Sequence, residues 1–159
     1  MREVHERLHI GTEHDCFTQR EGWAVVHACK SPCHQRAVGY RGNLSKSHRH
    51  YLVLERGNNL YLNMIDPPAP LFKMPLFHAF LQFAGRHWDE GDDLLIHCNL
   101  GMSRAPSLAL VFLAKHTRAI TDDSYATAAE EFAHKVGGYH PSEGIRKYLA
   151  RHWDELAPA

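Results

Sequence analysis

The sequence predicts an α/β domain in which a central, mostly parallel sheet of four to five strands is flanked by helices. Three observations predict it. Short apolar runs bounded by glycine, proline or asparagine recur before residue 66, as buried strands do. Helical spacing of apolar residues dominates from residue 75 onward. Strands interspersed with amphipathic helices bury both kinds of apolar face only in a layered packing. At 159 residues the chain is long enough to enclose one core, so residues 1–159 are expected to form a single domain.

In chain order, residues 8–10 ahead of Gly11 predict a short strand. Residues 23–28, Trp-Ala-Val-Val-His-Ala, predict a buried one ended by the Ser31-Pro32 breaker. Residues 35–47 have no clear period, and Gly39, Gly42 and Asn43 mark them as loop. Residues 51–54 and 60–65 flank Arg56-Gly57-Asn58-Asn59, turn chemistry between two strands. Asp66-Pro67-Pro68-Ala69-Pro70 continues neither strand nor helix and is a stiffened loop. Phe77, Phe80, Leu81, Ala84 and Trp88 share one helical face, and Asp89-Glu90-Gly91 ends that helix. Residues 94–97 form a short strand and 104–116 a helix that tolerates Pro106 in its first turn. Two helices follow. The first turns Tyr125, Ala128, Ala129, Phe132 and Val136 inward, with Thr121 or Asp122 as cap and Gly137-Gly138 as stop. The second starts near Ser142 and buries Ile145, Tyr148, Leu149 and Trp153.

Composition narrows the function classes. With 44% hydrophobic and 23% charged residues the chain is globular rather than disordered. Residues 1–7 are charged with no apolar core, and the longest apolar run, 108–114, is far short of a membrane span. A cytoplasmic protein without a membrane partner is therefore expected. Cys16, Cys29, Cys33 and Cys98 give no disulfide framework and are expected as reduced thiols. The net charge is zero, yet residues 22–54 hold Lys30, Arg36, Arg41, Lys46 and Arg49 without a carboxylate, which leaves −5 on the remainder. That basic segment suits anionic partners.

The chemistry concentrates in residues 97–107, His-Cys-Asn-Leu-Gly-Met-Ser-Arg-Ala-Pro-Ser, between the strand at 94–97 and the helix at 104–116. Where a strand turns into a helix, the amides of Asn99, Leu100, Gly101, Met102 and Ser103 have no ladder partners and can point into one concavity that binds an oxyanion. Gly101 provides a conformation that a Cβ disfavours. Arg104 adds a planar fork able to grip two phosphate oxygens. The same dipoles and guanidinium favour the thiolate of Cys98, which then lies beneath the bound phosphorus.

His97-Cys98, five intervening residues and Arg104, with Gly101 and Ser103 inside, resemble the signature of the cysteine-based protein tyrosine phosphatases, in particular the small dual-specificity phosphatases. The resemblance spans residues 94–115 most specifically and weakens toward the first 50. It implies a protein tyrosine phosphatase-like fold and hydrolysis of phosphotyrosine, with phosphoserine and phosphothreonine as further substrates, through a cysteinyl phosphate. Phosphorylated proteins or small phosphomonoesters are the implied substrates, and a phosphate or sulfate ion would occupy the loop. No cofactor and no metal are expected. In the family an aspartate on a loop some thirty residues upstream is the general acid, which the leaving oxygen requires. Asp66, 32 residues before Cys98 on the proline-rich loop, matches it. Asp92 and Asp93 do not, since they enter the strand whose far end, about 13 Å away, carries Cys98. His97 precedes the nucleophile on a strand and so points to the other face; the resemblance makes it a support beneath the loop.

Two departures qualify the match. The residue after the arginine, usually Ser or Thr, is Ala105, which removes a hydrogen bond to the cysteine sulfur and slows breakdown of the intermediate. Residues 99–103 contain no Lys or Arg, unlike the lipid-directed members of the superfamily. A phosphate-binding module without turnover is one alternative, and a phosphatase of RNA 5′ ends or other small phosphorylated molecules another, although nucleic acid is not the expected partner. A sulfurtransferase loop fits less well, being shorter and lacking the arginine. His27, Cys29, Cys33 and His34 also fall within eight residues, but Cys29-x3-Cys33 is not a usual zinc spacing and reduced thiols at the pocket rim are expected instead.

Overall fold

Six strands, β1 (Arg2–His5), β2 (Leu8–Gly11), β3 (Trp23–His27), β4 (Val53–Arg56), β5 (Asn59–Leu62) and β6 (Asp93–His97), form one sheet in the order β1-β2-β6-β3-β5-β4. The computed structural model describes residues 1–158. The four central strands, β2, β6, β3 and β5, run parallel, while β1 and β4 close the edges antiparallel to their neighbours. The fold is thus the mixed α/β arrangement predicted, with six strands where four to five were expected.

The alternation of β6 separates two environments. Leu94, Ile96 and Cys98 face the main core, which Ala24 and Val26 of β3 join; His97 and His27 face away from it. Helices α2 (Met74–Asp89) and α3 (Arg104–Phe112) pack across the central strands on the main-core side, and α4 (Tyr125–Lys135) and α5 (Glu143–His152) close that layer. Phe77, Phe80, Phe83, Phe112 and Phe132 are fully enclosed there. Each removes enough apolar area from water to contribute about 1.5–3 kcal/mol relative to exposure. A smaller cluster, Cys16, Cys29 and Cys33 against Tyr61, forms separately.

Several expectations need correction. Strand β1 was not anticipated, because Arg2-Glu3-Val4-His5 is an exposed edge without apolar alternation. Residues 35–38, read as loop, form a single helical turn, α1 (Gln35–Val38), stopped by Gly39 in the left-handed region. The cap of α4 is Ser124, whose hydroxyl accepts from the Thr127 amide, rather than Thr121 or Asp122. Cys16 and Cys33 are joined as a disulfide, against the expectation of reduced thiols. They lie 17 residues apart in sequence, and only the packing of both segments over the β3/β5 face brings them together.

Candidate active site

Strand β6 ends at His97, and the chain then folds Asn99–Ser103 into a loop whose Gly101 amide turns back toward Cys98. The Gly101 amide donates to Cys98 Sγ at 3.2 Å and the Ala105 amide at 3.4 Å, so two backbone dipoles converge on a sulfur that is only 2% exposed. Gly101 has φ +73, and a Cβ there would press on the Gly11 carbonyl oxygen at 3.0 Å, so both conformation and space require glycine. Leu100 and Met102, in contrast, point outward and are exposed.

Arg104, the first residue of α3, is aimed by three acceptors. Its Nη1 donates to the carbonyls of Ala28 at 3.1 Å and Met64 at 2.8 Å, and its Nη2 to Asn99 Oδ1 at 2.7 Å. Its Nε is buried and has no partner among the described residues, a donor left free for an anion. Asn99 is itself tied down, its Nδ2 donating to Glu13 Oε2 and to the Ser31 carbonyl, each at 2.9 Å. The sequence placed Asn99 in the anion loop; its part in orienting the guanidinium emerges only from the structure.

Asp66 lies on the loop between β5 and α2 and shares a cavity with Arg104, Asn99, Glu13, Lys30 and Ile65. Ser103 donates to its Oδ1 at 3.1 Å and Ser142 to its Oδ2 at 2.6 Å, while the Ser142 amide donates to Ser103 Oγ at 2.9 Å. The proline-rich loop packs against the start of α5 at Gly144, where a Cβ would collide with the carbonyl oxygens of Pro67 and Ala69. The proline-rich loop, the loop after Cys98 and the start of α5 are therefore joined by hydrogen bonds into one unit. Neither Ser142 nor Gly144 carries a motif that would have marked it in the sequence. Asp92 and Asp93 sit at the other end of β6, Asp93 opposite Trp23 in the β3 register and Asp92 bonded to His87.

His97 lies outside the cradle. Its Nδ1 faces the Cys98 carbonyl at 3.4 Å, and its Nε2 faces His27 Nδ1 at 2.6 Å and Cys33 Sγ at 3.8 Å. Burial pushes His97 below the ordinary histidine value, and burial together with the adjacent His97 pushes His27 down to about 4, so both rings are neutral near pH 7. Four groups suited to a soft cation, Cys16, His27, Cys33 and His97, converge here. Cys29 is outside this group, and its buried thiol is pushed up in pKa, away from nucleophilic chemistry. His34, also considered as a ligand from the sequence, instead bonds Tyr40 and the His50 carbonyl.

Ala105 is fully buried and offers Cys98 only its amide. A hydroxyl there would add a hydrogen bond to the sulfur that is worth on the order of 1.5–3 kcal/mol when the sulfur is the leaving thiolate. Ala105→Ser is expected to raise kcat for p-nitrophenyl phosphate by about 10–100-fold at saturating substrate. Steady-state kinetics showing an unchanged or lower kcat would count against this account of the sulfur.

This fold is that of the small dual-specificity phosphatases of the protein tyrosine phosphatase superfamily. Among solved structures, the human tyrosine phosphatase-like serine/threonine/tyrosine-interacting protein matches with a TM-score of 0.65 over 96% of this chain and 95% of its own, at 16% identity. Human DUSP28 matches at 0.66 over 96% and 95%, with 15% identity. PTPMT1, solved in complex with PI(5)P, matches at 0.63 over 98% and 95%, again with 15% identity. No protein-family model matches the sequence, and no curated protein matches it.

Proposed function

We propose that the chain is a phosphatase that hydrolyses phosphate monoesters, phosphotyrosine first among them, through a cysteinyl phosphate. The observation that carries this reading is Cys98 Sγ accepting from the Gly101 and Ala105 amides at the head of a helix whose first residue, Arg104, has a buried Nε without a partner among the described residues. In the proposed reaction the Cys98 thiolate attacks phosphorus in line with the leaving oxygen, forming the S–P bond as the P–O bond breaks. Arg104 and the amides of residues 99–103 hold the equatorial oxygens as their charge grows. Protonated Asp66 gives its proton to the leaving oxygen, then takes one from the water that attacks the phosphocysteine and releases phosphate. His97, below the loop, supports the Cys98 backbone.

The surroundings favour an acidic protein or peptide as substrate. Lys30 lines both the cavity at Asp66 and an adjoining one of ≈ 380 Å3, whose other walls include Lys46, Tyr51, Leu71 and Lys73. Lys30 and Lys46 bring part of the basic segment of residues 22–54 to this cavity, where Lys73 joins them and Ile65 and Leu71 are exposed. The interior of the anion loop has no lysine or arginine, which argues against multiply phosphorylated headgroups. A phosphate-binding module without turnover is the second reading and rests on Ala105 alone.

Hydrolysis measured for p-nitrophenyl phosphate and for an acidic phosphotyrosine peptide at rising ionic strength tests both levels of this reading. The peptide kcat/KM is expected to fall severalfold between low and physiological salt while that of p-nitrophenyl phosphate stays nearly constant. Hydrolysis of neither compound would overturn the phosphatase assignment. Equal salt sensitivity would overturn only the acidic-substrate assignment.

A further inference from the structure

Strands β3 and β6 pair in a register that sets His27 directly beside His97, with both rings on the sheet face away from the main core. Two other segments bring sulfurs to the same point: Cys16 Sγ lies 3.9 Å from His27 Nδ1, and Cys33 Sγ 3.8 Å from His97 Nε2. The four ligand atoms all fall within 4.8 Å of one another, and His27, Cys33 and His97 are essentially inaccessible while Cys16 is 8% exposed.

The outward-facing nitrogens fix what the inward-facing ones can do. His97 Nδ1 is directed at the Cys98 carbonyl, which can only accept, and His27 Nε2 at Asn59 Oδ1, 2.9 Å away. In the tautomers that satisfy these two acceptors, each outer nitrogen carries its ring's proton. The inner nitrogens, His27 Nδ1 and His97 Nε2, are then both bare, yet they face each other at 2.6 Å. Two lone pairs at that separation repel, so the pair is held either by an N–H···N bond from the other tautomer of one ring or by a cation bound to both nitrogens. A metal ion satisfies both nitrogens and the sulfurs at once. Outer histidine nitrogens donating to a carbonyl or an amide oxygen are also what orients histidines in metal centres.

We propose that Cys16, His27, Cys33 and His97 form a tetrahedral S2N2 site for one zinc(II)-class cation, filled when the Cys16–Cys33 bond is reduced. Two sulfurs and two imidazoles in a closed set of four suit zinc, and with no position left for water the site is structural rather than catalytic. In such a site ligand atoms stand about 3–4 Å apart, as follows from metal bonds of about 2.0–2.3 Å. The nitrogens need therefore move apart only slightly. A cavity bordered by Cys16, Cys33, Arg36 and Tyr61 leads to the sulfurs from outside. Reduction by a thiol or phosphine consumes two electrons and two protons as the S–S bond breaks, and the two thiols release those protons when the sulfur–metal bonds form. Through His97 the ion would brace the residue that immediately precedes Cys98. This inference is independent of the phosphatase reading.

The test is a cobalt(II) titration of the wild-type chain after reduction with tris(2-carboxyethyl)phosphine and removal of metal by a chelator. One equivalent is expected to produce the intense visible bands of tetrahedral cobalt and a thiolate-to-cobalt charge-transfer band, and one equivalent of zinc(II) to bleach both. Absence of tetrahedral bands in fully reduced wild type overturns the proposal whatever the variants do. Cys16→Ser and Cys33→Ser are each expected to lose about half of the charge-transfer intensity or all of it, whereas Cys29→Ser and Cys98→Ser keep it. Loss of the bands in Cys98→Ser would place the ion in the cradle and overturn the assignment.

Discussion

Replacing Cys98 by serine is expected to abolish turnover of p-nitrophenyl phosphate while leaving phosphate bound in the loop. A serine hydroxyl is far less acidic than a thiol, so the two amides that meet the sulfur at 3.2 and 3.4 Å have no anion to stabilise at that position. The loss is expected to be on the order of 10⁶-fold in kcat, as when a hydrolase loses its covalent nucleophile. The oxyanion groups remain, since the Arg104 guanidinium is held by Ala28, Met64 and Asn99 and by nothing on the Cys98 side chain. Phosphate protection measured by thermal shift should therefore persist in the inactive protein. An active Cys98→Ser chain would end the covalent mechanism.

Asp66→Asn is expected to lower kcat by about 10²–10⁴-fold, the usual range for a positioned general acid. The loss should be larger for an alkyl phosphate than for p-nitrophenyl phosphate, because p-nitrophenolate departs without full protonation and an alkoxide does not. Asparagine keeps the size of the side chain and can still accept from Ser142 through its amide oxygen, so the loop is retained while the transferable proton is lost. Paired kinetics with the two substrates separate a proton-transfer defect from a folding defect. Equal losses on both would remove Asp66 from the role of acid and leave it as a tie between the proline-rich loop and Ser142.

Much of this site was legible in the sequence because its central part is local. The buried strand, the glycine turn and the helix start all lie within residues 94–115, where periodicity and turn chemistry read directly onto backbone geometry. The place of Asp66 on a loop after a strand was legible from the prolines that follow it, whereas its choice as acid came from the family resemblance. What the sequence concealed depends on pairing between distant segments. The neighbours of Arg104 include Ala28 and Met64, and those of Asp66 include Ser142, 76 residues away. The Cys/His group is the sharpest case. Sequence proximity suggested His27, Cys29, Cys33 and His34, whereas the β3/β6 register retains His27 and Cys33 and exchanges the other two for Cys16 and His97. Strand β1 was missed for a different reason, since an edge strand facing water needs no apolar period.

The three acceptors around Arg104 carry a consequence for how the cradle comes into being. Ala28 follows β3, Met64 follows β5, and Asn99 is itself secured by Glu13 and Ser31. An isolated peptide of residues 97–107 would contain the whole signature and yet none of the carbonyls from other strands that direct the guanidinium. The aim of the guanidinium is in this sense a property of the finished sheet: the motif is spelled out in eleven consecutive residues, but its orientation is supplied by chain ends of strands that fold in from as far as 86 positions away.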